Sequence, residues 1–132
     1  MKQITKDWLE TASLDLESIP FIIQNDRLTG LVAFHAQQAI EKSLKATIEE
    51  HGGRVPKIHS LSKLFELCAS FVSIPIDDDI IIALDSLYIE SRYPGELGLL
   101  PEGKPTITQA QLFYDFAKEI YLTIKNQLET RK

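Results

Sequence analysis

Apolar residues return at intervals of three and four along most of this chain, the spacing that puts them on one side of a helix. Trp8, Leu9, Ala12, Leu16 and Ile19 form the first such stripe and predict a helix from Thr5 to about Ile23, with Pro20 placed to shorten or bend its end. Phe34, Ala36, Ile40, Leu44 and Ile48 predict a second, from about Thr29 to Glu50, and Gly52-Gly53 supplies its stop. A short third helix is expected in "SLSKLFELCASF" with Ser60 as cap. The fourth opens on Asp77, Asp78 and Asp79, carboxylates suited to the positive end of a helix dipole, and carries Ile80, Leu84, Leu87 and Ser91 on one side. In the fifth, Thr108 and Gln111 have capping-box spacing, and Phe113, Ala117, Ile120, Ile124 and Leu128 form the stripe. The one β-like run, "IPIDDDIIIAL", would find no partner strand elsewhere in the chain. The expected architecture is all-α, an antiparallel four-helix bundle with an additional short helix, in a single domain spanning residues 1–132.

Composition narrows the function classes. A formal charge of −5 excludes a chain that coats nucleic acid by bulk attraction, so any such contact needs a small local basic patch. The single cysteine, Cys68, excludes an internal disulfide and a Cys-rich zinc site, and its apolar neighbours place it in the core. No apolar run is long enough to cross a membrane and the first ten residues do not read as a signal peptide, so the expected location is cytoplasmic.

Candidate chemistry gathers in two places. On the second helix His35, Gln38, Lys42 and Lys45 fall within about 80° of one another on a helical wheel. Such a stripe reads either as a solvated face or as a phosphate-binding one, and an i,i+4 pair of Glu41 with Lys45 is enough to account for that lysine. At the end of the fourth helix, in "YIESRYPGEL", Arg92 follows Tyr88 by four residues and is flanked by Tyr93 and Pro94. A guanidinium among aromatic rings suits a nucleotide; it also suits the negative end of a helix dipole. Of the three histidines, His51 is expected to meet the carbonyl end of the second helix, and His59 stands just before the third. No two have a metal-ligand spacing, and neither a phosphate-binding glycine loop nor a nucleophile elbow is present, so neither metal nor cofactor is expected.

The chain resembles a HEPN domain in "WLETASLDLESI", "AFHAQQAIEKSLKATIEEHGG", "PKIHSLSKL" and "YIESRYPG", in the expected order over roughly residues 7–127. The resemblance implies a helical bundle that dimerises, often paired with a minimal nucleotidyltransferase (MNT type) in toxin–antitoxin systems. Many relatives resemble metal-independent ribonucleases, marked by an arginine followed a few residues later by a histidine at the end of the fourth helix. Arg92 takes the arginine's place, but no histidine follows it. A literal match, "RVPKIH" from Arg54 to His59, lies in a proline-containing loop, the wrong element. Whether the protein is an enzyme therefore stays open. The expectation is a homodimeric module binding a nucleotide or RNA through Arg92, Tyr93, Tyr88, Lys42, Lys45, His35 and Gln38. The alternatives are a ribonuclease toxin using Arg92 with His59, and a non-catalytic dimerising scaffold.

Overall fold

The computed structural model describes residues 1–90 and 104–130. Five α-helices lie within them: α1 (Gln3–Ser18), α2 (Thr29–Glu50), α3 (Leu61–Cys68), α4 (Asp78–Glu90) and α5 (Ile107–Thr130). Among the described residues there is no strand, so the isoleucine-rich run opens a helix as the missing partner strand requires.

Each helix end has a local cause. Pro20 lacks the N–H that would extend α1, and the chain tightens into a 3-10 turn over Ile19–Phe21, earlier than the expected Ile23. α2 ends in a full Schellman motif: Gly52 at φ +76° donates to the Glu49 carbonyl, and Gly53 donates to the Ile48 carbonyl. His51 adds to this by donating from Nδ1 to the Thr47 carbonyl at 2.8 Å, while its ring stacks on Phe71. Ser60 caps α3 by accepting from Lys63 N, and Asp77 Oδ1 accepts from Ile80 N ahead of α4. The capping box of α5 is formed by Thr106 and Gln109, two residues earlier than expected: Gln109 N donates to Thr106 Oγ1 at 3.0 Å and Thr106 N to Gln109 Oε1 at 2.8 Å. The sequence "TITQAQ" holds the spacing twice, and the earlier copy, immediately after Pro105, takes the helix start.

Contacts at the ends give the directions. Lys2, ahead of α1, donates from Nζ to the Glu49 carbonyl and from its backbone N–H to the Glu50 carboxylate, so α1 starts where α2 finishes. Lys104 pairs with Asp26 at 3.1 Å, so α5 starts where α2 starts. Tyr88 near the end of α4 stacks on Phe34 near the start of α2. Thus α1 and α4 run one way, α2 and α5 the other. α2 is the central column, packed along α1 and α5 and touched by α3 and α4. Val32, Ala36, Ile40 and Leu44 in it are fully buried with Ile19, Leu64, Leu84, Ile120 and Ile124 from the surrounding elements. Because α2 is surrounded, its polar side chains are also buried: Gln37, Glu41, Ser43, Lys45 and Thr47 each keep 5% exposure or less.

Candidate functional site

Burying a lysine and a glutamate on one helix, with a second lysine half-buried beside them, is tolerated only where each charge finds a partner. The polar residues of α2 do so by dividing between two carboxylates. Asp15, on α1, accepts from His35 Nδ1 at 2.9 Å through one oxygen and from Lys42 Nζ at 2.7 Å through the other. Glu41 accepts from Lys45 Nζ at 3.0 Å, from Gln37 Nε2 at 3.1 Å and from His59 Nδ1 at 3.1 Å. The Lys45 ammonium also lies 5.8 Å from the centre of the Trp8 ring, on the aromatic face that attracts a cation. Gln38 donates to the Gln37 side-chain oxygen at 2.7 Å and so joins the Glu41 group.

The expected stripe is therefore neither a solvated face nor a cationic one. Lys45 is the expected i,i+4 partner of Glu41, but the pair is buried, with 7% and 6% of the side chains exposed. Lys42 is committed to Asp15. Each carboxylate gathers one lysine and one histidine, which cancels the positive charge that a phosphate would need.

Of the second group of candidates, His59 and Tyr88 meet near the end of α4. The loop after Gly53 brings His59 back to the first half of α2, where Gln37 Nε2 donates to its backbone carbonyl at 3.1 Å. The imidazole then stacks on Tyr88, with ring centres 5.2 Å apart, and Tyr88 lies parallel to Phe34 at 6.2 Å. A carboxylate can only accept, so the His59 nitrogen facing Glu41 carries the hydrogen, and in the neutral ring Nε2 then holds the lone pair. Nearly half of the His59 side chain is exposed (48%), whereas the Glu41 that holds it is buried. Just beyond His59, Asp85 of α4 accepts from the backbone N–H groups of Leu61 at 2.7 Å and Ser62 at 3.2 Å, which ties the start of α3 to α4. Arg92 and Tyr93 lie outside the described residues; in sequence they follow Tyr88 by four and five positions.

Sequence reasoning missed Asp15 and Gln37, assigned Glu41 only to its lysine, and placed Asp85 on the face of Arg92, seven residues away and too far for a bridge, without finding its partners. The signal for Asp15 was present: it falls on the apolar stripe between Ala12 and Ile19, a core-facing position where a carboxylate requires a partner. Asp85 carried no comparable sign, since its partners are two backbone N–H groups and the Ser62 hydroxyl at the start of another helix.

A model of the HEPN domain matches residues 5–127. Among solved structures, TT1696 from Thermus thermophilus is 27% identical, with 96% of this chain and 99% of that one covered at a TM-score of 0.73. ST0689, described as an archaeal HEPN homologue, is 28% identical, with 97% and 99% covered at a TM-score of 0.68. A comparison with curated proteins gives no match. With a matched span running from α1 almost to the end of α5, and two neighbours whose chains it covers nearly end to end, this helical bundle belongs to the HEPN domain family.

Proposed function

We propose that this protein is a cytoplasmic HEPN module that acts as a homodimer, binds a nucleotide or an RNA end where α4 finishes, and works beside an MNT-type nucleotidyltransferase in a toxin–antitoxin-like pair. The observation that carries the binding site is the stacking of His59 on Tyr88, four residues ahead of Arg92 in the chain. An exposed imidazole, an aromatic ring and the arginine that follows four residues later in the sequence would supply a hydrogen-bonding edge, a stacking surface and a phosphate partner. Lys45 serves this site indirectly, through the Glu41 carboxylate that it shares with His59, whereas Lys42 is committed to Asp15. In the homodimer α2 contributes little, being surrounded within its own chain, whereas Ile82 on α4 is 63% exposed and suits a subunit contact.

A second reading has its own observation. An imidazole backed by a carboxylate, with Nε2 left to take a proton, is the arrangement of a general base. With Arg92 to stabilise charge, His59 would serve a metal-independent ribonuclease in place of the histidine that does not follow Arg92.

One set of measurements separates these readings. AMP and a short oligoribonucleotide are titrated into the wild type, Tyr88→Ala and Arg92→Ala, and cleavage of the oligomer is followed in EDTA. Binding without cleavage, lost in both variants, supports the binding module. Cleavage abolished by Arg92→Ala and His59→Ala supports the nuclease. Neither binding nor cleavage, with Arg92→Ala shifting only the sedimentation coefficient, leaves a dimerising scaffold. Co-purification with a nucleotidyltransferase encoded alongside tests the partner.

A further inference from the structure

We propose that Glu41 is a positioning residue that fixes His59 as a hydrogen-bond acceptor for a sugar hydroxyl, so that the site selects ribonucleotides over nucleotides lacking their hydroxyls. This rests on the reading above that a nucleotide occupies the end of α4. Three features carry it.

The first is the tautomer. Both Glu41 oxygens lie near His59 Nδ1, at 3.1 and 3.2 Å, and neither can donate, so the neutral ring is held as Nδ1–H with its lone pair at Nε2. The second is rigidity. Glu41 is 4% exposed and is itself fixed by Gln37 and Lys45, while Gln37 also holds the His59 carbonyl and Tyr88 supports the ring face. The side chain of His59 is thus tied to Glu41 and its backbone to Gln37, one turn apart on α2 and bonded to each other. The third is access. His35 is held by Asp15 in the same tautomer, but only 23% of its side chain is exposed, against 48% for His59. A lone pair on Nε2 is a ready acceptor for O–H. A phosphate oxygen, which only accepts, gains nothing from it while the ring stays neutral. The chemistry that matches a fixed acceptor on a half-exposed imidazole, beside a stacking ring, is the hydroxyl edge of a ribose.

The tautomer is read directly from the ring nitrogen shifts of the 15N-labelled protein at pH 8, with the His59 signals assigned by their loss in His59→Gln. His59 is expected as the Nδ1–H form in the wild type. In Glu41→Gln, whose amide can donate as well as accept, the Nε2–H form is expected to appear, with melting behaviour monitored to confirm that the bundle is intact. A wild-type His59 in the Nε2–H form overturns the proposal without recourse to any variant. AMP is then compared with 2′,3′-dideoxy-AMP. Wild type is expected to favour AMP by roughly tenfold, the loss of one hydrogen bond, and Glu41→Gln to reduce that preference to about twofold or less. Equal affinities for the two in wild type overturn the hydroxyl assignment while the nucleotide reading stands. No AMP binding, with the Nδ1–H form in place, overturns the hydroxyl assignment together with that reading.

Discussion

Lys45 Nζ lies 3.0 Å from Glu41 Oε2, one turn away on the same helix, and both side chains are more than nine-tenths buried. An exposed pair at this spacing contributes a few tenths of a kcal/mol. Burial changes what its loss means, because removing one partner leaves the other charge desolvated. Lys45→Met is therefore expected to destabilise the fold by about 3 kcal/mol, and the double variant Glu41→Met/Lys45→Met to recover a large part of that loss. Urea denaturation of the two variants and the wild type measures the coupling. Equal stability of Lys45→Met and wild type would remove the pair from the account of the core.

The Asp15–Lys42 contact, at 2.7 Å, bears on ligand binding in the same way. If the lysine is held by its carboxylate, truncating it takes little from a nucleotide bound at the end of α4. Lys42→Ala is expected to leave AMP affinity within about twofold, while Tyr88→Ala weakens it by roughly tenfold (~1.4 kcal/mol). The reverse order, measured by calorimetric titration, would return the lysine stripe to the role of a phosphate site.

Helix positions were readable in the sequence because they depend on local spacing and caps. Thr29–Glu50 coincides with its expectation, and the glycine stop after it forms the motif that its residues specify. What spacing could not give is how many sides of α2 would be covered. A wheel separates polar from apolar faces, yet a central helix buries both, and the polar face is then decided by carboxylates contributed from elsewhere. Asp15 comes from another helix, and His59 reaches Glu41 over a loop that carries no periodic signal. The doubled Thr-x-x-Gln spacing near Pro105 shows the same limit on a smaller scale: two starts satisfied the rule, and the chain uses the first.

Gly52 isolates a backbone effect. At φ +76° it holds a left-handed conformation, and a Cβ added there would meet nothing within 4 Å. Gly52→Ala is expected to cost about 1 kcal/mol through the backbone alone, and Gly52→Asn less. At Gly53 the added Cβ would lie 3.0 Å from Ile48 Cγ2, so there the cost is one of packing. Thermal melts of Gly52→Ala, Gly52→Asn and Gly53→Ala distinguish the two origins, and an unchanged melting temperature for Gly52→Ala would count against a strained cap.

Cys68 is fully buried and donates from Sγ to the Leu44 carbonyl at 3.3 Å; burial pushes its thiol up from 9.0 to about 12. The folded state therefore keeps the proton where the unfolded chain loses it. This contribution to stability is complete below about pH 9 and is lost as pH rises toward 12. Wild type is expected to lose more stability than Cys68→Ala between about pH 9 and roughly pH 10.5, a difference that cancels the tyrosines and lysines common to both. At pH 8, a thiol reagent should label the protein only as fast as the bundle opens. Rapid labelling of the folded protein would contradict this placement.

Asp85 joins stability to the candidate site. Its two oxygens accept from Leu61 N and Ser62 N at the start of α3, and Ser62 Oγ adds a third bond at 3.2 Å. A carboxylate at a helix start satisfies orphan N–H groups and faces the positive end of the dipole. Asp85→Ala is expected to cost about 2 kcal/mol. Because His59 lies two residues before Leu61, the same change should loosen the ring from Tyr88, broadening the His59 imidazole signals and lowering AMP affinity. Asp85→Asn keeps one acceptor oxygen and should fall between wild type and alanine in both measurements. A loss of stability with the His59 signals and AMP affinity intact would show that α3 is anchored independently of the residues that α4 gathers around its end.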